Sequence, residues 1–104
     1  MIVTAPAAFR STYASQPERH HHVAALLADE LIPDPGPDSL PDVLRALMQD
    51  VGAPSGIAEL GCTGDDVPAL VQGALTQQRL LDIAPRAPSE TDLDHILTAS
   101  LTNW

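Results

Sequence analysis

The sequence is short of cysteine, aromatic residues and positive charge, and each shortage excludes a class of protein. Its 104 residues include one cysteine, one residue each of Trp, Tyr and Phe, and 5 Lys or Arg against 14 Asp or Glu, giving a formal net charge of −9. A lone Cys62 excludes an intramolecular disulfide and a zinc finger, and it fits a reducing cytoplasm. Because few basic residues are present to neutralise phosphates, no nucleic-acid partner is expected.

Long apolar runs are also missing. No segment approaches the roughly 18 apolar residues of a membrane-spanning helix, and the first residues lack the basic and apolar regions of a secretory signal. The acidic charge disfavours anionic membrane surfaces as well. We therefore expect a soluble cytoplasmic protein with no membrane partner. Its length predicts a single domain over residues 1–104, too small to hold a nucleotide-binding domain and a separate catalytic lobe.

Proline and glycine are plentiful, and they separate the segments whose apolar residues have helical spacing. The 10 prolines and 6 glycines lie mainly between those segments, where turns belong. Pro-rich joints are predicted at 33–37 and 83–88, because proline removes backbone donors and favours extended neighbours. Residues 1–14 are predicted to be an irregular or partly helical lead-in, since Pro6 interrupts any early helix.

The apolar spacing predicts an all-α fold, a small bundle of about four principal helices. The first runs from about Pro17 to Leu31. The second starts at Asp38 or Ser39 and stops at Gly52, which can adopt the left-handed conformation. No alternating β-branched run predicts a strand.

The third and fourth helices are predicted from their caps. The start of the third is ambiguous: Thr63 with Asp66 resembles a capping box, whereas Asp66 as the N-cap places Pro68 more favourably, at the second position. This helix extends toward Leu81. Ser89 and Asp92 form a capping box for the fourth. None of the four is long enough to be stable alone in water, so their apolar faces must pack together. The predicted core consists of Leu44, Leu47, Met48, Leu70, Leu75, Leu93, Ile96, Leu97 and Leu101.

Few residues are candidates for chemistry. His20, His21 and His22 are adjacent, but consecutive helical side chains diverge by about 100°, so the three imidazoles cannot bind one ion. The simpler interpretation leaves His20 partly buried and the other two solvated. No metal site is predicted, and no cofactor either, because neither common phosphate-binding loop is present.

Two further residues have a structural and a chemical interpretation. His95 is flanked by Asp92 and Asp94, but no nucleophile motif accompanies it. Cys62 follows Gly61 in a turn and is either a small buried hydrophobe or a reactive thiol. Any pocket between the helices is expected to draw its polar lining from a short set of candidates, namely His20, His95, Tyr13, Arg86 and Cys62.

Several short sequence motifs occur in a specific order along the second half of the chain. They are Leu44-Arg45-Ala46-Leu47, Gly52-Ala53-Pro54, Ile57-x-Glu59-Leu60-Gly61, Asp66-Val67, Pro85-Arg86 and Ser89-x-x-Asp92-Leu93. In this order the motifs resemble the C-terminal end of the iron-containing alcohol dehydrogenase superfamily. Within that superfamily, their sequences are most similar to those of maleylacetate reductases. Ala84 stands where that family usually has Asn.

The resemblance implies a fold, the tail of that family's all-helical metal-binding domain. It also implies that NAD(P) is bound by an N-terminal α/β domain, and that the metal is held by Asp and His residues upstream of this tail. Neither region is matched here. The resemblance therefore carries over no catalytic, cofactor or metal-binding residue to this chain.

Three functions stay open. The first is a non-catalytic helical module that packs against a separately encoded partner protein or a second copy of itself, since missing neighbouring helices would leave apolar faces uncovered. The second is a diverged small enzyme or small-molecule-binding protein, independent of metal and NAD, with a pocket between helices. The third is a truncated product of a longer reductase.

Overall fold

The computed structural model describes residues 2–84 and 87–104. Within these ranges the chain forms six α-helices and no strand, which confirms the all-α prediction. The helices are α1 (Ala5–Thr12), α2 (Pro17–Ala28), α3 (Ser39–Asp50), α4 (Val67–Leu75), α5 (Gln78–Asp82) and α6 (Glu90–Ala99). Single 3-10 turns are formed by Ile2–Thr4, Tyr13–Ser15, Ile57–Leu60 and Gly64–Asp66. None of the helices in the described ranges has both the length and the apolar character that crossing a bilayer requires.

The first helix, α1, lies within the segment predicted to be irregular or partly helical. Pro6 occupies the first turn of α1 and is buried, so the prediction that it interrupts an early helix is wrong. The first N–H groups of a helix have no intrahelical acceptor, and proline loses nothing there. As a result α1 packs against α3 and α6, which places it in the centre of the fold.

Helix ends agree with the sequence at α3 and differ at α2. Gly52 has a φ of 76° just beyond α3, as its predicted stop requires. In contrast, α2 ends at Ala28 and does not reach Leu31, because Asp29 takes the left-handed conformation with a φ of 57°. Aspartate tolerates this conformation better than most residues. The chain then leaves the helix three residues earlier than the apolar spacing predicts.

The third predicted helix is divided in two. Gln77 N donates to Ala74 O at 3.0 Å and the Thr76 hydroxyl donates to Gly73 O at 2.6 Å, which closes α4 before α5 begins. Pro68 lies in the first turn of α4, as predicted. The Asp66 side chain does not cap that helix, however. It accepts from Thr63 N at 2.8 Å and caps the preceding 3-10 turn.

The predicted capping box of the last helix is confirmed. Ser89 N donates to Asp92 Oδ2 at 2.9 Å, and Asp92 N donates to Ser89 Oγ at 3.1 Å. The helix begins at Glu90 directly after it. Residues 85 and 86 of the predicted 83–88 joint lie outside the described residues.

The apolar core consists of three clusters, each formed between different elements. They contain Val3, Met48 and Ile57; Ala24, Leu40 and Leu44; and Val67, Val71 and Leu93. Of the predicted core, Leu44, Met48 and Leu93 are buried, while Leu75, Ile96, Leu97 and Leu101 are partly buried. Leu47 and Leu70 are 37% exposed, so the prediction is wrong for them. In both of their helices, α3 and α4, the apolar face is wider than the part of it that the rest of the chain buries.

The two ends of the chain are joined by hydrogen bonds around Ser55. The Asn103 amide Nδ2 donates to Val3 O at 2.9 Å and to Ser55 O at 2.6 Å. The Ser55 hydroxyl donates to Trp104 O at 3.1 Å. Beside them, Ile57 N donates to Ser100 O at 3.0 Å. This junction fixes the C-terminal segment against the first turn and closes the fold.

Candidate functional site

Tyr13 and His20, two of the candidate residues, come together where α1 meets α2. Their ring centroids are 5.7 Å apart in an edge-to-face arrangement. Thr12 Oγ1 lies 3.0 Å from His20 Nε2, and His20 Nδ1 lies 2.7 Å from the Gln16 carbonyl oxygen. A carbonyl oxygen can only accept, so Nδ1 carries the proton and Nε2 faces the Thr12 hydroxyl. Both ring nitrogens of His20 are thereby engaged within the chain.

His21 also has a partner, which the sequence did not predict. Its Nε2 lies 2.6 Å from the Tyr13 hydroxyl, and the residue is partly buried. The expectation that His21 is solvated is wrong, because the 3-10 turn Tyr13–Ser15 directs Tyr13 back over α2. His20 is partly buried and His22 is exposed, as expected. A cluster of Tyr13, His20 and His21 therefore holds the 3-10 turn Tyr13–Ser15 against α2.

His95 lies elsewhere, in a cleft where α1, α3 and α6 meet. This cleft has a volume of about 330 Å³, and its polar lining includes Arg10, Arg45 and Asp92 as well as His95. None of the cluster residues Tyr13, His20 and His21 is part of that lining. The structure thus separates His95 from the other histidine candidates.

Cys62 belongs to a third region. It is partly buried and packs against the cluster of Val3, Met48 and Ile57, and its backbone N–H donates to Ile57 O at 3.2 Å. These surroundings are apolar, which suits a small packing residue. Arg86, the last candidate, lies outside the described residues. The five candidates therefore do not form one pocket, and a catalytic role for any of them stays a prediction.

Sequence reasoning missed Arg10 and Arg45. They are two of the chain's 5 basic side chains, but they are 35 positions apart and lie on α1 and α3. Only the packing of α1 against α3 brings them to the same cleft. The scarcity of basic residues was the available signal, because any two that meet are then conspicuous.

The donor atoms do not make a metal centre. Within residues 2–84 and 87–104, no group of three or more His, Cys, Asp or Glu side chains is arranged to hold an ion. Adjacent His20 and His21 are directed at Gln16, Thr12 and Tyr13 instead. The described residues do not fit a protein-held metal.

Comparison with known proteins identifies the fold's relatives. Residues 1–101 match the family described as Fe-containing alcohol dehydrogenase family, C-terminal. The chain is 41% identical over 105 residues to the mitochondrial hydroxyacid-oxoacid transhydrogenase of Rattus norvegicus, covering 97% of this chain and 22% of that protein. The Homo sapiens protein of that name is 37% identical with the same coverage. A probable hydroxyacid-oxoacid transhydrogenase of Dictyostelium discoideum is 30% identical, covering 98% of this chain and 19% of that protein.

The chain therefore spans about a fifth of the length of the curated relatives it matches. No solved structure matches it. These relatives carry the transhydrogenase name, and the finer resemblance to maleylacetate reductases stays a prediction. The family's description names iron, and within the described residues no group of His, Cys, Asp or Glu side chains is placed to hold it. The match over nearly the whole chain, together with the all-helical fold, places this protein in the iron-containing alcohol dehydrogenase family as a counterpart of its C-terminal region.

Proposed function

We propose that this chain is a non-catalytic helical module that associates, through an exposed apolar face on α2, with the remainder of a catalyst of the hydroxyacid-oxoacid transhydrogenase type. The reaction is proposed from the names of the relatives. The association is proposed from one observation, the outward orientation of the large apolar side chains of α2. The proposal holds whether this chain is a separate polypeptide or a segment of a longer one.

The large apolar side chains of the α2 apolar face are all more than 40% exposed. In α2, Ala24 is the one buried residue. The helix therefore buries a small side chain against the core and leaves its larger apolar side chains partly exposed. Residues 23, 26 and 27 have the i, i+3, i+4 spacing of one helix face. Phe9 lies beside Val23 at one end of that face, in a groove they share. The face consists of Phe9 at 42% exposure, Val23 at 41%, Leu26 at 66%, Leu27 at 43% and Leu31 at 92%.

The total surface supports the same conclusion. The accessible area is 6514 Å², whereas a compact protein of 11.0 kDa should expose about 5,600 Å². The excess of about 900 Å² is close to the roughly 800 Å² that one partner contributes to a standard interface. The extents of 39 × 30 × 19 Å describe a flat body. Such a slab exposes more surface than a sphere and is suited to lying against a larger body.

The partner is proposed to be the part of such a protein that this chain lacks. Relatives in which this chain matches 22% of the length contain a large remainder, and the matched region is described as C-terminal. An apolar helix face in a monomeric protein marks a surface for contact with another polypeptide. A second copy of this chain is the competing occupant.

Association can be tested by co-expressing the chain with the rat relative from which its matched C-terminal segment has been removed. Size-exclusion chromatography with light scattering should show a complex with one copy of each. The double substitution Leu26→Gln, Leu27→Gln should raise its Kd by about 100-fold, because buried leucines at an interface are worth roughly tenfold each.

Leu80→Gln is the matched control, since Leu80 is a similarly exposed leucine on α5. It should leave the Kd within about threefold. A dimer of this chain alone, disrupted by the α2 double substitution, would identify a second copy as the occupant. If this chain is a monomer that does not bind the truncated rat protein, the proposal is refuted.

Small-molecule binding independent of metal and NAD is a second candidate function. It is favoured by the cleft beside His95, which has polar and apolar lining. For location we propose the cytoplasm, on the basis of the lone Cys62. The names of the relatives place those proteins in mitochondria, and fractionation of cells that express the tagged protein distinguishes the two compartments.

A further inference from the structure

We propose that the cleft between α1, α3 and α6 is a binding site for a single carboxylate group. Arg10 from α1, Arg45 from α3 and His95 from α6 line it together. All these groups belong to this chain, so binding of a free acid does not depend on the association proposed above, and only a carboxylate from another polypeptide rests on it.

The charge of the cleft differs from that of the whole molecule. The chain has a net charge of −9 and 5 basic side chains, yet 2 of the 4 that lie within the described residues line this one cleft. Asp92 is the single acidic residue in the described lining, and its Oδ2 already accepts from Ser89 N. Counted over the described lining alone, two guanidinium groups and one carboxylate sum to +1, and the carboxylates of Asp38 and Asp42, which pair with the arginines from outside the cleft, reduce the potential that this charge creates.

The acidic partners of both arginines stand outside the cleft. Arg10 Nε lies 3.0 Å from Asp38 Oδ1, and Arg45 Nη1 lies 2.8 Å from Asp42 Oδ1. Asp38 and Asp42 are both more than half exposed and do not belong to the described lining. Pairs exposed to this degree hold the side chains only weakly. The guanidinium groups therefore keep donors for another acceptor.

Arg45 has a donor with no acceptor at all among the described residues. Its Nε is buried and has no hydrogen-bond partner there. Buried donors are nearly always paired, so an unpaired guanidinium N–H is an unusual feature. Because Nη1 is committed to Asp42, Nε is a donor left without a protein acceptor on a side chain that lines the cleft. Arginine binds carboxylates through two such parallel N–H groups.

The size and the apolar part of the lining favour a carboxylate over phosphate. Ala7, Ile96 and Ala99 supply apolar surface that can contact a short carbon chain. A volume of about 330 Å³ accommodates an acid of a few carbons, and two guanidinium groups that already pair with Asp38 and Asp42 favour a monoanion over a dianion. The carboxylate can belong to a free organic acid or to an Asp or Glu side chain of another polypeptide segment.

Titration of the isotope-labelled chain, followed by NMR, tests the site with butyrate, its neutral isostere butyramide, and inorganic phosphate. We expect butyrate to shift the signals of Ile96, Ala99 and the Arg45 side chain with a millimolar Kd. Arg45→Gln and Arg10→Gln should each weaken this binding by at least tenfold. Arg79→Gln, which removes an exposed arginine on α5, should change it by less than twofold, and equal melting temperatures show that the variants fold.

Each outcome either decides whether the site exists or identifies where the carboxylate comes from. Butyrate binding that depends on Arg45 identifies a free acid as the ligand. If butyrate does not bind, but Arg45→Gln weakens association with the truncated rat protein tenfold while Arg79→Gln does not, the carboxylate is a side chain of that protein. Equal binding of butyramide, tighter binding of phosphate, equal losses with Arg79→Gln, or no effect in either assay would overturn the site. The α2 double substitution should leave butyrate affinity unchanged, so failure of the association does not decide this test.

Discussion

Replacing Gly56 by alanine should destabilise the protein by about 3 kcal/mol, a loss typical of backbone displacement in a packed region. A Cβ built on Gly56 would overlap the carbonyl oxygens of Ser100 and Leu101, closer than real Cβ atoms come to any neighbour. Those carbonyls accept from Ile57 N at 3.0 Å and from Ala58 N at 3.1 Å. The added methyl group must therefore push the C-terminal segment away and lengthen both bonds. Urea denaturation followed by circular dichroism measures the change.

Gly73→Ala provides the control for that experiment. Gly73 lies inside α4, and a Cβ there meets nothing within 4 Å. Alanine is the better helix former, so this substitution should stabilise the protein by up to about 1 kcal/mol. Opposite signs for the two changes are expected. Equal and small effects would show that the close approach at Gly56 does not exist.

Met48→Ala should lower the free energy of unfolding by about 2 to 5 kcal/mol, the usual range for truncating a buried methionine. Met48 is 1% exposed and belongs to the cluster with Val3 and Ile57. That cluster joins three elements, namely the first 3-10 turn, α3 and the 3-10 turn Ile57–Leu60. The cavity would lie where these elements meet, and little of it can collapse.

The adjacent position supplies the comparison. Leu47 is on the same helix and 37% exposed, so Leu47→Ala should cost less than about 1 kcal/mol. Thermal and urea unfolding of both variants checks the difference. A larger loss at Leu47 than at Met48 would mean that α3 is rotated relative to the packing described here.

Local signals predicted much of the helical framework. Ser89 and Asp92 act within one helical turn, and Gly52 needs only its own backbone freedom, so both were predicted correctly. The α1 helix was predicted only as part of an irregular or partly helical lead-in, because Pro6 was interpreted as a helix breaker, whereas a first-turn position makes it a helix starter. The end of α2 was missed because Asp29 adopts a conformation that its residue type permits without requiring it.

Burial and the candidate sites depended on tertiary contacts that the spacing does not contain. An apolar stripe shows which side chains avoid water, but not whether this chain covers them, so Leu47 and Leu70 were placed in the core. The exposed leucines of α2 reflect the same ambiguity. Tyr13 meets His20 because a 3-10 turn reverses the chain between them, and Arg10 meets Arg45 because α1 packs on α3.

We propose that this chain contributes a docking helix to a catalyst and does no chemistry alone. Hydroxyacid-oxoacid transhydrogenation should be assayed with the chain by itself and with a chimera in which it replaces the matched segment of the rat relative. We predict no turnover by the chain alone and clear turnover by the chimera. In the chimera, Leu26→Gln with Leu27→Gln should lower turnover at least tenfold, while Leu80→Gln should not. Turnover by the isolated chain, or a chimera whose activity is unchanged by the α2 double substitution, would contradict this claim.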